Sequence, residues 1–143
     1  MKYTLMLLFC VAISFTGFAQ DKDAILGQWV NSTGEAHIEV FKKGVKYFGK
    51  IVWLKSPKDD RGAVKTDLKN PDASLRDKPI LGMEMLRDFV YLDHKWTDGK
   101  IYDPKSGKTY SCNLSLKDNG ELSMRGYIGV AMFGRTEIWK RVK

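Results

Sequence analysis

The feature that most constrains the fold of this chain is the alternation of apolar and polar side chains over short runs. Residues 46–54 are the clearest example, because β-branched and aromatic side chains dominate them. Such runs are typical of β-strands. Turn-forming residues separate the runs at short intervals, as at Lys43-Gly44, Asp98-Gly99 and Asp118-Asn119-Gly120. Several short strands joined by tight turns predict either a β-sandwich or a closed up-and-down barrel.

The pattern predicts further strands along most of the chain. They are residues 38–41, 90–96, 100–103, 108–117, 121–127 and 136–142. Residues 80–86 fit either a helix or a strand, because three of them are long and unbranched; we assign them to a strand. The predicted fold class is therefore all-β.

The first residues have the pattern of a secretory signal peptide. Lys2 precedes an apolar stretch over residues 5–15, and Gly17 and Ala19 occupy the small-residue positions before a cleavage site. The stretch is shorter than the roughly 20 apolar residues that cross a bilayer, which argues against a membrane-spanning segment. We expect a signal peptide at 1–19, a single domain at 20–143, and export to the periplasm or beyond the cell.

Without that segment, Cys112 is the only cysteine, so the domain has no internal disulfide. Cys112 alternates with Leu114 and Leu116, which predicts a small buried apolar residue. The fold must therefore be stabilised by its core.

Two stretches interrupt the strand pattern. Residues 21–26 precede Gly27 and predict one helical turn that covers an end of the fold. Residues 55–79 form a long charged loop, which is either a lid or a surface insertion. Within this loop, Asn70 and Pro71 have the chemistry of a helix start, with Asn70 as the cap.

The chain is basic, with a formal net charge of +7. Five lysines cluster around one predicted hairpin: Lys42, Lys43, Lys46, Lys50 and Lys55. This cluster favours either contact with an anionic envelope surface or an ordinary solvated basic face. Nucleic acid is a disfavoured partner, because export separates the chain from it and no recognition motif is present.

Catalytic and metal-binding motifs are absent from the sequence. The only histidines are His37 and His94, and no pair of residues has metal-ligand spacing. Gly107-Lys108 resembles part of a phosphate-binding loop, but Tyr102 stands where that motif requires its first glycine. We therefore predict no catalytic residue, no metal and no cofactor, and we favour a binding protein over an enzyme. A novel hydrolase remains the alternative.

Motifs near both ends of the predicted domain resemble those of lipocalin-type barrels. Gly27 and Trp29 form a Gly-x-Trp at the first strand, and Trp139 and Arg141 end the last strand. In lipocalins the early tryptophan closes one end of the barrel beneath an arginine from near the C terminus. The resemblance implies that these four residues close the barrel here, through a cation–π contact between Arg141 and Trp29.

Further blocks, in the same order along the chain, resemble the exported bacterial family known as domain of unknown function 2147. They include Gly49-Lys-Ile-Val-Trp-Leu54, Lys78-Pro-Ile-Leu-Gly82, Gly99-Lys-Ile-Tyr-Asp-Pro104, Arg125-Gly-Tyr-Ile-Gly129 and Gly134-Arg-Thr-Glu-Ile-Trp139. The resemblance implies a lipocalin-like up-and-down antiparallel barrel of about eight strands in the bacterial envelope. It implies no activity.

A barrel of this size is either filled by side chains or holds one small ligand. Arg125 and Tyr127 lie two residues apart, hence on one face of a strand, and are similar to the Arg-x-Tyr pair that holds a carboxylate in fatty-acid-binding barrels. Alternation with Leu122 and Met124 instead places Arg125 and Tyr127 on the outer wall. We expect an apolar or amphipathic ligand, and the candidate ligand-binding residues are Arg125, Tyr127, Arg135, Tyr102, Trp53, Met85 and Met124.

Overall fold

A computed structural model describes residues 21–143. The predicted signal peptide at 1–19 lies outside the described residues. Eight strands form one closed barrel, in which each strand pairs with the next in antiparallel order and β8 returns to β1. The strands are β1 (Gly27–Val30), β2 (Ala36–Lys43), β3 (Lys46–Leu54), β4 (Glu84–Leu92), β5 (Lys95–Asp103), β6 (Lys108–Leu116), β7 (Leu122–Tyr127) and β8 (Arg135–Arg141). The predicted antiparallel barrel of about eight strands is confirmed, and the sandwich is excluded.

Two predictions for the region around β4 and β5 are wrong. The chain turns at Asp93 and His94, which both have positive φ, so the predicted strand 90–96 is the end of β4 and the start of β5. Asp98 and Gly99 lie inside β5, where the pairing with β6 is irregular. An Asp-Gly pair suits a β-bulge as well as a turn, because both need an unusual backbone conformation.

Residues 80–86, predicted as a strand, belong to β4 only from Glu84 onwards. The preceding residues form a turn in which the Met83 N–H donates to the Ile80 carbonyl at 3.1 Å.

One end of the barrel is covered by residues 21–26, and we call it the closed end. This segment forms hydrogen-bonded turns rather than the predicted helical turn. The indole N–H of Trp29 donates to the Ile25 carbonyl, and that of Trp96 donates to the Lys22 carbonyl, both at 2.9 Å. The covering segment is therefore held by hydrogen bonds from two tryptophans of the barrel interior, Trp29 and Trp96.

The closed half of the barrel is packed solid. Its interior contains the largest fully buried side chains near that end, Trp29, Trp96, Tyr47, Phe89 and Leu86. Two inward positions carry glycine, and larger neighbours occupy the space. A Cβ at Gly49 would lie 2.8 Å from a Leu86 methyl, and one at Gly99 would overlap the Phe89 ring.

Between β3 and β4, residues 55–83 fold back on themselves and form what we call the strap. Its two halves are joined by hydrogen bonds from the Asp67 N–H to the Lys78 carbonyl and from the Ile80 N–H to the Lys65 carbonyl, both at 3.0 Å. A short 3-10 turn, Ala73–Leu75, lies within the strap. Asp72 caps it, so the predicted cap at Asn70 is wrong.

A buried carboxylate holds the strap to the barrel wall. Asp67 is 2% exposed and accepts hydrogen bonds from the Tyr102 hydroxyl at 2.6 Å and from the Asn70 side-chain amide at 2.7 Å. Since an unpaired buried carboxylate is costly, the Tyr102 hydroxyl ties the strap to β5, while Asn70 satisfies the same carboxylate from within the strap.

Candidate functional site

The barrel is hollow at the end opposite the closed end, which we call the open end. A cavity of about 1140 Å³ lies there, between the packed core and the loops that surround the mouth. Its volume slightly exceeds the usual range for small-molecule sites, roughly 300–1,000 Å³. The cavity is therefore large enough for a ligand of drug size or for one lipid chain.

The deep part of the cavity is apolar. Its lining there consists of inward-facing side chains from five strands, Ile38, Ile51, Ile101, Met124 and Trp139. Gly126 adds to this space, because a Cβ built there would find its nearest neighbour at 3.9 Å, from the Ile101 side chain. No larger residue fills the position, unlike at Gly49 and Gly99.

The mouth of the cavity is charged and polar. Loops after β1, β3 and β5 contribute to its lining, with Ser32, Glu35, Lys55, Asp103 and Lys105 among the residues. Lys105 is already paired, because its ammonium lies 2.6 Å from a Glu35 carboxylate oxygen. That contact, assisted by a hydrogen bond from Thr33, lowers the pKa of Glu35.

Strand β8 places two ionisable side chains on the cavity wall. Every second residue of a strand lies on the same face, and Arg135 and Glu137 precede the buried Trp139 by four and two positions. All three therefore face the inside of the barrel. The Glu137 carboxylate accepts hydrogen bonds from the Ser32 hydroxyl at 3.1 Å and from the Trp139 indole at 3.4 Å. Within residues 21–143, no carboxylate forms an ion pair with Arg135. Its guanidinium is therefore available to an anionic or polar ligand group.

The structure brings together four of the seven candidate ligand-binding residues. Arg135, Tyr102, Met85 and Met124 line the cavity. The hydroxyl of Tyr102 is already occupied by Asp67. Burial, and then this hydrogen bond, raise the pKa of Tyr102 to about 12. Tyr102 also lines the concavity beneath the strap, so its hydroxyl is not free to bind a ligand in the barrel.

The other three candidates, Arg125, Tyr127 and Trp53, are not part of the cavity lining. Arg125 donates to the Thr136 hydroxyl at 2.8 Å and to the Met132 carbonyl at 3.1 Å. The Trp53 ring packs on His37, with 4.3 Å between ring centroids. The geometry thus matches the alternation argument, which places Arg125 and Tyr127 outside.

Glu137, Tyr110 and Gly126 line the cavity but were missed as ligand-binding candidates. The signal for Glu137 was present in the sequence, because a residue two positions before an inward tryptophan shares its face. Gly126 gives no such signal, since a glycine reveals nothing about the volume around it.

The basic cluster of the β2–β3 hairpin lies away from the cavity and is matched by acidic side chains. Lys42, Lys43, Lys46 and Lys50 each lie within 4 Å of a carboxylate, between 2.7 and 3.7 Å. Only Lys55 of the cluster lines the cavity. The excess positive charge of the hairpin is therefore largely neutralised.

A second concavity, of about 940 Å³, lies between the strap and the outer face of β4–β6. It has mixed polar lining, including Asp67, Arg87, Lys100 and Thr109. Within the described part of the chain, no three His, Cys, Asp or Glu side chains are grouped as metal ligands. No helix among the described residues is long and apolar enough to cross a membrane.

Comparisons with known proteins agree with this architecture. Protein HP1028 from Helicobacter pylori, described as belonging to the lipocalin family, is 27% identical to this chain with a TM-score of 0.64. The match covers 76% of this chain and 73% of the other. None of the curated proteins matches the chain. Residues 27–141 match the family described as uncharacterized protein conserved in bacteria (DUF2147), and this chain, a lipocalin-like barrel, belongs to that family.

Proposed function

We propose that this protein binds one small amphipathic molecule in the cavity at the open end of its barrel. The observation that carries the proposal is the difference between the two halves of the interior. Tryptophan and phenylalanine rings fill the closed half, whereas about 1140 Å³ is empty in the open half. A lipocalin-like fold suggests small-molecule binding, and the similar Helicobacter pylori protein is described as a lipocalin.

The lining defines the chemistry of the ligand. Ile38, Ile51 and Met124 offer an apolar surface to a hydrocarbon or ring system, and burial of such a group is favourable by roughly 25 cal/mol per Å². Near the mouth, Arg135 offers a planar guanidinium to a carboxylate or phosphate. The ligand therefore lies with its apolar part inward and its anionic or polar group toward the mouth.

Export belongs to the same proposal. The pattern of residues 1–19 supports secretion. In the periplasm or outside the cell, such a barrel carries or sequesters an amphipathic molecule that is poorly soluble in water.

The proposal can be tested by a substitution at Gly126 that reduces the volume of the cavity. In Gly126→Leu the new side chain projects into the empty space, and its backbone does not need a positive φ. The probe is a fluorescent polyene fatty acid, whose emission rises in an apolar site. We expect the variant to bind the probe at least about tenfold more weakly, because the leucine takes the volume of several ligand carbons.

The matched control is Ser123→Leu, which adds the same side chain to the opposite face of β7. Ser123 alternates with the buried Leu122 and Met124, so the added volume lies outside the barrel. Equal loss of binding in both variants, or no loss in Gly126→Leu, would overturn the proposal. Native mass spectrometry of protein isolated from its own cells should show an additional bound mass that Gly126→Leu lacks.

A further inference from the structure

The connection between β7 and β8 exposes an unusual amount of apolar surface. Residues 128–134 contain no charged or polar side chain. Four of them are large and mostly in solvent: Ile128 at 72%, Val130 at 55%, Met132 at 75% and Phe133 at 80% exposed. Surface loops of this kind normally carry polar residues, and a contiguous exposed apolar patch marks an interaction site.

This loop stands at the mouth of the cavity. Gly126 precedes it and Arg135 follows it, and both line the cavity. The loop therefore borders the opening through which any occupant enters or leaves.

The loop is held away from the core by specific contacts. The Arg125 guanidinium donates to the Met132 carbonyl at 3.1 Å and to the Thr136 hydroxyl at 2.8 Å, which ties the loop to β7 and β8. Within the loop, the Phe133 N–H donates to the Val130 carbonyl at 3.2 Å. In this arrangement the side chains of Ile128, Val130, Met132 and Phe133 are exposed to solvent and do not fold into the cavity.

Positive charge accompanies the apolar loop at the open end. Arg135 follows the loop directly, and Lys55 and Lys65 lie on the rim of the same cavity. None of these three cations forms an ion pair within residues 21–143. By contrast, the lysines of the β2–β3 hairpin, at the closed end, have carboxylate partners. The rim also carries the carboxylates of Glu35, Asp103 and Glu137, but Arg135 adjoins the loop and, among the described residues, has no carboxylate within 4 Å. Cations at the same end of the barrel as exposed apolar side chains suit an anionic bilayer, whose headgroups attract cations and whose acyl chains accept apolar side chains.

We propose that residues 128–133 insert into the surface of an anionic phospholipid bilayer and so place the mouth of the cavity against the membrane. A bilayer suits a patch this small, because a few inserted side chains and nearby cations are sufficient for peripheral binding. A stable protein partner would need about 800 Å² on each side, which one seven-residue loop does not supply. Docking does not require an occupied cavity, so this proposal stands apart from the proposed function.

The test places a tryptophan reporter at either end of the barrel. Phe133→Trp puts it in the loop, and Val45→Trp puts it in the β2–β3 turn, where Val45 is also large, apolar and 79% exposed. Full-length chains are mixed with vesicles of phosphatidylcholine and phosphatidylglycerol in which a share of the lipids carries bromine on the acyl chains. Bromine quenches only tryptophans that reach the acyl region.

The natural chain contains four tryptophans, with Trp53 42% exposed, so its own quenching is the baseline. We expect the bromolipids to quench Trp emission clearly more in Phe133→Trp than in the natural chain, and no more in Val45→Trp than in the natural chain. Quenching should fall with added salt and in vesicles without phosphatidylglycerol, because the cations contribute. All variants carry the same residues 1–19, so any membrane contact of the predicted signal peptide is common to them. Equal quenching of the two reporters, or none above the baseline in Phe133→Trp, overturns the proposal, and the latter result would favour a protein partner.

A second variant checks the energetic contribution of the loop. Phe133→Glu should weaken binding to the anionic vesicles about tenfold or more, whereas Val45→Glu should leave it unchanged. Both positions are exposed, so neither substitution disturbs the core. Unchanged vesicle affinity of Phe133→Glu would also overturn the proposal. Gly126→Leu should dock as well as the natural chain, which separates docking from occupation of the cavity.

Discussion

The guanidinium of Arg141 lies 4.2 Å from the centre of the Trp29 ring, directly across the seam where the last strand meets the first. The same guanidinium donates hydrogen bonds to the Leu26 carbonyl, at 2.6 Å, and to the Ala24 carbonyl. Two residue pairs align β1 with β8, Trp29 with Arg141 and Val30 with Lys140, and the Val142 N–H donates to the Gln28 carbonyl at 3.0 Å. One side chain therefore joins the two ends of the sheet and the segment that covers the closed end.

Arg141→Ala should lower the free energy of unfolding by about 2 kcal/mol, since it removes the cation–π contact and two charge-assisted hydrogen bonds. Urea unfolding followed by circular dichroism measures the change. Lys140→Ala, its exposed neighbour on β8, is the control and should stay within about 0.5 kcal/mol of the natural chain. Equal effects of the two substitutions would show that Arg141 does not hold the seam.

Two inward-facing glycines predict opposite responses to a methyl group. Gly99→Ala should destabilise the barrel by roughly 1–3 kcal/mol, because the new Cβ overlaps the Phe89 ring. Gly126→Ala should leave stability unchanged or raise it by up to about 1 kcal/mol, since its Cβ meets nothing within 3.9 Å and alanine suits a strand better than glycine. Thermal unfolding of both variants measures the difference. Similar losses in both would mean that the open half is packed like the closed half.

The hydrogen bond between Tyr102 and Asp67 predicts a loss of stability at high pH. Burial and this bond raise the pKa of Tyr102 from 10.0 to about 12. The contribution is fully present below pH 10. As the pH rises toward 12, the unfolded chain releases the phenol proton more readily than the folded chain, so the free energy of unfolding falls.

Tyr102→Phe should remove this part of the pH dependence. It should also cost about 1–2 kcal/mol at neutral pH, because Asp67 loses one of its donors. Urea unfolding at several pH values compares the two proteins, and the other tyrosines and lysines contribute equally to both. Parallel stability curves between pH 10 and 12 would contradict the assigned role of the bond.

Cys112 should be unreactive in the folded protein. Its side chain is fully buried on β6, and burial, with a smaller contribution from the charge of Glu137, raises the pKa of the thiol to about 12. Since only the thiolate reacts, alkylation by iodoacetamide should be at least about a hundredfold slower than in urea-unfolded protein. Mass spectrometry of the peptide containing Cys112 measures the rate. Labelling at similar rates in both states would show that β6 opens readily.

Local alternation made much of the barrel predictable. Residues 46–54 were predicted as a strand with the bounds that β3 has, and alternation with Leu122 and Met124 placed Arg125 on the outer wall. The family resemblance also came from local blocks of sequence, and the match over residues 27–141 confirms it.

Turn positions were less predictable where one local sequence suits two structures. Asp98-Gly99 has the chemistry of a hairpin turn, yet it forms part of an irregular pairing inside β5. The turn falls instead at Asp93 and His94, residues that adopt positive φ without a glycine. The pairing of the flanking strands determines where the turn lies, and that pairing depends on residues distant in the sequence.

The sequence by itself determined most of the strands and which face of each is apolar, because the side-chain period of a strand depends only on neighbours along the chain. Only the tertiary structure decided that the closed half is full and the open half hollow. Gly99 and Gly126 are both inward-facing glycines, but Phe89 of the adjacent strand fills the space at the first and no side chain fills the second. The free volume inside a barrel depends on which side chains from different strands contact one another across the interior. Those contacts form only when the whole sheet closes.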